Sequence, residues 1–301
     1  TLLVGQDYWE NSGWYRYGWR TVDGAGQAIP SQDIFSPVYG GNHYTDFVSD
    51  LPRTKINQQQ IGVYGQDQIE IGNLNLIGSI RQDYYNAKTG TISDTSLTKQ
   101  NKITWRAAAL YHFDFGLSPY FSYSTSFEPQ TGVDVYGHSY KPIAGRQYEA
   151  GLKYQPKGTG LLLTGSVFDI ARNNALVTDP ENPNNSIQIG ESRTKGVELE
   201  GRAEIYPGLQ FLVAITYLDS VYARGNSAKT SVLNGNLASG VTGTHALGVP
   251  SWMSSTFLSY DFRDARFVRG AFHGLMVGGG FRYTGPTDGV TTTIINGQTA
   301  N

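Results

Sequence analysis

The side chains best able to do chemistry in this chain are its histidines, its carboxylate runs and its aromatic groups, and their spacing separates them. His43, His112, His138, His245 and His273 are scattered, with no HExxH or other ligand spacing. His112 shares an alternating face with Arg106 and Asp114, which predicts a hydrogen bond on a polar wall rather than a metal ligand. Glu198, Glu200 and Glu204 could be read as carboxylates for acid–base work. Arg202 lies between them on the same face, however, and the pattern predicts a salt-bridged, solvated surface. Gly278-Gly279-Gly280 lacks the Lys-Ser/Thr of a phosphate loop and predicts relieved packing in a bending wall. Asp179-Pro180-Glu181-Asn182-Pro183 is a rigid turn rather than a calcium loop, and no Gly-x-Ser-x-Gly elbow occurs. The expectation is a protein with no catalytic residues, no metal site and no cofactor of its own.

One group remains. Trp14, Tyr15, Tyr17, Trp19, Phe35, Tyr39, Tyr44, Tyr136 and Tyr140 fall in or beside long polar connections. Aromatic side chains with a polar handle supply broad contact area for amphipathic ligands. As a group they are the candidate ligand-binding residues.

The elements that must position them are strands. Apolar residues recur with period two: Val197, Leu199, Gly201, Ala203 and Ile205 oppose the charged run above, and Leu209, Phe211, Val213, Ile215 and Tyr217 oppose Gln210, Ala214 and Thr216. Phe121, Tyr123, Thr125 and Phe127 oppose serines, and Tyr148, Ala150, Leu152 and Tyr154 oppose Gln147, Glu149, Gly151 and Lys153. Leu275, Val277, Gly279, Phe281 and Tyr283 continue the pattern. The runs are about 9–12 residues, the length that crosses a bilayer when tilted. Short turns (Gly72-Asn73, Gly116 to Ser118, Gln155 to Gly160, Pro207-Gly208, Phe267 to Gly274) alternate with long polar connections near 21–53, 88–101, 132–144, 178–186 and 224–248. That alternation marks an outer-membrane barrel. Tyr154, Tyr206, Phe262 and Tyr283 fit its interfacial girdles.

The count is about eleven strands, beginning near Thr1, Lys55, Leu74, Lys102, Pro119, Ile143, Leu161, Ile187, Leu209, Val249 and Gly274. An odd count, a strand already under way at Thr1 and a polar run at the end lead us to expect further strands. Asp67 falls on the apolar face of Ile61, Val63, Ile69 and Ile71, which predicts either a β-bulge near Gly65 or an Asp67 close to the membrane edge.

Composition narrows the function classes. Charged residues are 16% of 301, against about 25% in soluble domains, while Gly is 37 residues and aromatics are 13%. No run approaches the roughly 20 apolar residues of a helical span, so crossing falls to strands, and only a closed barrel satisfies their backbone in lipid. A net charge of -2 argues against a nucleic-acid partner, and the absence of Cys excludes thiolate metal sites and disulfides.

Several segments, in order along nearly the whole chain, resemble the TonB-dependent siderophore receptors, nearest to their ferrichrome-type hydroxamate branch. They are GVYGQDQ (62–68), PYFSYSTSFEP (119–129), GRQYEAGLKYQP (145–156), GESRTKGVELEG (190–201), VPSWMSSTFLSYDF (249–262) and GGGFRYTG (278–285). The resemblance implies an all-β, transmembrane antiparallel barrel of 22 strands in the Gram-negative outer membrane. Residues 1–301 would be part of that barrel, with the plug domain, its TonB-contacting segment (the TonB box) and the last strands lying outside them. It further implies a monomer that binds a ferric siderophore, with iron carried in the chelate, and is energised by the TonB–ExbB–ExbD complex acting on the plug. A passive pore or a surface-adhesion barrel, which would share the polar lumen and long loops, is the alternative.

Overall fold

Strict alternation requires an extended backbone, and the computed structural model shows its consequence as one antiparallel meander of eleven strands. It describes residues 1–16, 53–91, 95–134, 136–178, 186–188, 190–225, 242–264, 274–288, 293–295 and 298–300. The strands are β1 (Leu2–Tyr15), β2 (Thr54–Ile71), β3 (Leu74–Gly90), β4 (Thr95–Tyr111), β5 (Leu117–Glu128), β6 (Ile143–Tyr154), β7 (Leu161–Asn173), β10 (Glu191–Tyr206), β11 (Leu209–Arg224), β12 (Trp252–Asp261) and β13 (Met276–Thr284). Two small hairpins stand apart from this sheet: β8 (Leu176–Thr178) with β9 (Ser186–Gln188), and β14 (Thr293–Ile295) with β15 (Gln298–Ala300). Each strand of the sheet pairs with its neighbour in sequence, β7 joins β10, and β1 and β13 form the two edges. Among the described residues no helix is long and apolar enough to cross a membrane.

The register sorts side chains into two faces. One row runs Phe121, Ala150, Val167, Val197, Tyr217, Trp252 across six strands, and a row on the opposite face runs Tyr120, Gly151, Ser166, Glu198, Thr216, Met253. Burial is inverted relative to a soluble protein. Asp83, Thr98, Ser118 and Ser122 are buried, whereas Val197, Leu199 and Phe281 are 49%, 46% and 65% exposed. An apolar face of that extent needs a non-aqueous solvent. Outward is therefore lipid and inward is lumen.

Aromatic residues bracket the outward face. At the upper level the Trp105 and Tyr123 rings lie 4.6 Å apart, Tyr123 and Tyr148 4.7 Å, and Tyr217 and Trp252 4.8 Å. At the lower level Tyr111 meets Phe113 edge-on at 4.9 Å, Phe113 stacks on Phe115 at 5.4 Å, and Tyr260 meets Phe262 edge-on at 4.9 Å. Tyr84 is ten rungs above the Leu74↔Tyr111 pair. At ~3.4 Å per residue and ~45° tilt that is about 24 Å along the membrane normal, the height of an apolar barrel band. The anticipated girdle residues Tyr154 and Tyr206 sit at the lower strand ends and Tyr283 at an upper one.

Two expectations change, and one is decided between its alternatives. The span 88–101 is mostly strand rather than loop, because β3 runs to Gly90 and β4 starts at Thr95, so several strands reach 16–18 residues. Above the rung of Tyr84 the outward positions Asn86, Lys88 and Lys99 face solvent, so pairing continues after the apolar period has ended. No bulge occurs near Gly65, since β2 and β3 pair without a shift from Lys55↔Gly90 to Ile71↔Leu74. Asp67 is opposite Gly78, in the lower part of β2, toward the Gly72-Asn73 turn.

The third concerns the charged run of β10. Its residues do face the lumen, but among the described residues Arg202 makes no ion pair with the glutamates. The register puts Leu162 on one side of it and Leu212 on the other, so no carboxylate stands across the ladder. Glu204 instead accepts the Gly208 N–H at 3.1 Å, closing the Pro207-Gly208 turn.

Candidate ligand-binding mouth

The wall beneath the mouth is stiffened by luminal side chains. Arg81 on β3 donates through Nη1 and Nη2 to both oxygens of Asp7 on β1 (2.6 and 3.0 Å) and through Nε and Nη2 to Asp83 (2.7–3.0 Å). Gln60 on β2 adds an amide donor to Asp83 at 2.8 Å. The guanidinium thus ties β3 to β1, its planar fork suiting two carboxylates at once, and Asp83 in turn ties β3 to β2 through Gln60. Gly62 makes this possible, because a Cβ there would lie 1.8 Å from Arg81 Nη2. The guanidinium lies flat across the strand where a side chain would have been. On β13 the same device appears at Gly278 and Gly280, where added Cβ atoms would meet the Phe257 ring at 2.9 and 2.8 Å. The triple-glycine run therefore makes room for a luminal aromatic ring. Lower down, His112 Nδ1 pairs with Ser118 Oγ at 2.8 Å, the hydrogen bond expected of it on the polar face.

At the outer mouth the connection from β5 to β6 (129–142) has internal structure. Val133 and Ser139 form an antiparallel bridge, and the Tyr140 N–H donates to Gly132 O. Asp134 Oδ1 accepts the N–H groups of Tyr136 (2.9 Å) and His138 (2.8 Å), and His138 Nδ1 approaches Oδ2 at 3.2 Å. Gly137 takes a left-handed φ of 81° to close the turn. Slight burial of Asp134 acts to raise its pKa, but the N–H groups of His138 and Tyr136 outweigh it and hold the carboxyl below the usual carboxylate range. The Tyr140 hydroxyl is pushed above its ordinary range by burial, with the charge of Asp134 adding to the effect.

The candidate aromatics separate on this framework. Tyr15 closes β1 on the luminal side, in register with Thr54. Trp14, opposite Lys55, belongs to the outward face, where the Arg53 and Arg16 guanidinium carbons lie 4.5 and 5.7 Å from its ring. Tyr136 is 81% exposed at the loop tip, with its ring 6.3 Å from that of His138. Tyr140 is a tie, its hydroxyl donating to Ser186 O at 2.8 Å. Tyr17, Trp19, Phe35, Tyr39 and Tyr44 lie outside the described residues. Three strands, β2, β3 and β4, stand between β1 and β5 in the sheet, so Tyr15 and Tyr136 occupy different sectors of the rim.

Sequence reasoning missed Asp134, Gln100 and Gln188, whose polar contacts shape this mouth. Asp134-x-x-Gly137 carries a turn signal, Asp at the first position and Gly at the fourth. The glutamines carry none. Among the described residues no three His, Cys, Asp or Glu side chains gather to hold a metal ion.

The wall and its mouth can be set beside known proteins. A family profile described as TonB dependent receptor-like, beta-barrel matches residues 1–300. The chain belongs to that family. The ferrichrome outer membrane transporter/phage receptor of Escherichia coli K12 is 32% identical over 96% of this chain and 36% of its own length. The ferrioxamine B receptor of Salmonella typhimurium SL1344 is 33% identical over 99% of this chain and 38% of its own. Among solved structures, the ferric-catecholate import receptor Fiu of E. coli K12 in its closed form superposes with a TM-score of 0.72 at 18% identity, over 98% of this chain and 42% of that one. This chain thus spans a little over a third of the length of these two curated relatives. TonB-dependent receptors are a family of receptors and transporters, and the protein is an outer-membrane β-barrel wall.

Proposed function

We propose that the chain is the central wall of a TonB-dependent receptor that takes up a ferric siderophore of the hydroxamate type. The reading is supported chiefly by the near-complete coverage of this wall, at 32–33% identity, by relatives named for ferrichrome and ferrioxamine B. Both compounds are hydroxamate chelates. The iron arrives already ligated, so selection needs shape and hydrogen bonding from the protein rather than metal ligands. Of the nine aromatic candidates, Tyr15 and Tyr136 are the described ones proposed as contacts, 45% and 81% exposed at the mouth, whereas Trp14 turns to the outward face and Tyr140 is engaged with Ser186. A plug and the remaining strands lie elsewhere in the polypeptide, and the TonB–ExbB–ExbD complex acts through that plug. The receptor works as a monomer in outer-membrane lipid.

The test is uptake of iron-labelled chelates by cells whose only candidate receptor is the full-length protein. Ferrichrome or ferrioxamine B should enter in a TonB-dependent manner, and Tyr136→Ala should raise KM about five- to tenfold, the loss of ~1–1.4 kcal/mol of aromatic contact. Entry of a catecholate chelate alone would refute the hydroxamate assignment. Entry that persists without TonB, or steady ion conductance of the intact protein in planar bilayers, would favour a passive pore.

A further inference from the structure

The β5–β6 loop is closed at its base by side-chain amides. Gln100 lies on the luminal face of β4, in register with Tyr85. Its Nε2 donates to Gln130 O at 2.9 Å and Tyr140 O at 2.8 Å, while its Oε1 accepts the Gln130 N–H at 3.0 Å. Residues 130 and 140 are the two ends of the loop, so one amide pins both. Gln188, ending β9, repeats the arrangement one residue on. Its Oε1 accepts the Lys141 N–H at 2.9 Å, and its Nε2 donates to Lys141 O at 2.6 Å and Asn174 O at 2.9 Å. Asn174, held at a φ of 64°, donates through Nδ2 to Pro142 O at 3.0 Å. With Tyr140 bonded to Ser186, the clamp joins β4, the β5–β6 loop and the β8–β9 hairpin.

The ladder explains why the clamp sits there. Pairing of β4 with β5 ends at Arg106↔Ser124, although β4 continues up to Thr95. The upper part of β4 has no strand partner on that side among the described residues, and the loop base takes the place of one. Because Gln100 points into the lumen, that base lies over the luminal side of β4, inside the mouth rather than splayed from it. Donor and acceptor are both needed, in one plane and at fixed spacing, and a side-chain amide is the group that offers both without charge.

We propose that Gln100, with Gln188 as its counterpart, is a positioning residue for ligand selection. It fixes the β5–β6 loop as a shelf across the mouth, so that the Asp134–His138 turn presents Tyr136 in one orientation. The chelate is then selected by fit to a standing surface. This inference rests on the uptake reading above, and its test separates the two.

In the full-length receptor, Gln100→Ala and the isosteric Gln100→Glu are compared with wild type by hydrogen exchange over 129–142 and by the concentration dependence of ferric hydroxamate uptake. Heat resistance of the barrel on gels monitors the fold. Glu keeps the shape and the acceptor but sets a carboxylate against the carbonyls of Gln130 and Tyr140. Both variants should speed loop exchange about tenfold and raise KM about five- to tenfold, the scale of losing two or three net hydrogen bonds in part, with Vmax and heat resistance unchanged. Unchanged exchange in Gln100→Ala would overturn the clamp. Wild-type behaviour of Gln100→Glu would show that the Nε2 bonds to Gln130 O and Tyr140 O do not hold the loop and would overturn the clamp, and a freed loop with unchanged KM would overturn the positioning role. Should Gln100→Ala lose heat resistance, Gln188→Ala, which leaves β4 untouched, decides on the same readouts. If the wild type takes up no ferric hydroxamate, the uptake reading fails and loop exchange still judges the clamp.

Discussion

Replacing Thr125 by Val removes two polar contacts while keeping the side chain's shape, and it tests how the β4–β5 seam is held above its last regular pair. At that point the Trp105 N–H donates to Thr125 Oγ1 at 2.8 Å, and the same hydroxyl lies 3.3 Å from Trp105 O. A hydroxyl thus stands in for the rung above Arg106↔Ser124. Removing it strands the Trp105 N–H. An unsatisfied donor costs about 1–3 kcal/mol when buried, and the access of this one to interfacial water places it at about 1.5. The longer contact to the carbonyl contributes little. The new methyl faces lipid from the outward row and returns roughly 0.5 kcal/mol. The net expectation is a loss of about 1 kcal/mol, near fivefold in the unfolding equilibrium, with Thr125→Ser close to wild type. Urea unfolding of the full-length receptor in lipid gives the free energy, and exchange of the Trp105 amide locates it. If Thr125→Val is neutral and the Trp105 amide exchanges no faster, the hydroxyl is not a rung and the reasoning is wrong.

Two further outcomes follow from the two faces and the mouth. Leu199→Arg, at mid-height on the lipid face between Gly165 and Ile215, should cost about 2–4 kcal/mol in the same unfolding assay, whereas Thr216→Arg, on the luminal face beside Glu198, should cost less than about 1. Equal effects would mean the faces are misassigned. For Asp134 the folded pKa is depressed, so its contribution to the turn is complete above the unfolded value of about 3.8 and is lost as pH falls through the lower folded value. Exchange protection of the Tyr136 and His138 amides, corrected for intrinsic rates, should therefore hold from neutral pH down to about pH 4 and fall only below it, and Asp134→Ala should lack that protection at every pH.

Much of this wall is legible in the sequence. All eleven strands of the sheet were located from alternation, because lipid on one side and water on the other impose opposite demands on neighbouring residues. The reading lost accuracy where those demands stop. Lys88 and Lys99 are outward residues above the lipid, and without an apolar face their strands resembled a loop. Asp67 leaves a bulge at Gly65 and a place near the membrane edge equally open in the sequence, since one Asp on an apolar face does not say at what depth it lies, and the unbroken register selects the second. At the mouth, exposed aromatics such as Tyr136 stood out by type alone. Gln100 did not, because its partners are 30 and 40 residues away and no periodicity links them.

The uneven strand lengths give the rim a topography. Ten residues of β4 continue above Trp105, while β5 continues for only five above Tyr123. The sheet therefore carries a tall crest at β2–β4 beside a low saddle at β5–β6, and the clamped loop lies folded against the inner flank of the crest. Among the described residues the rim thus steps down from β4 to β5. A residue of β4 and one of the β5–β6 connection at the same height therefore stand in different surroundings, the first within a paired strand and the second in a loop held by side-chain amides.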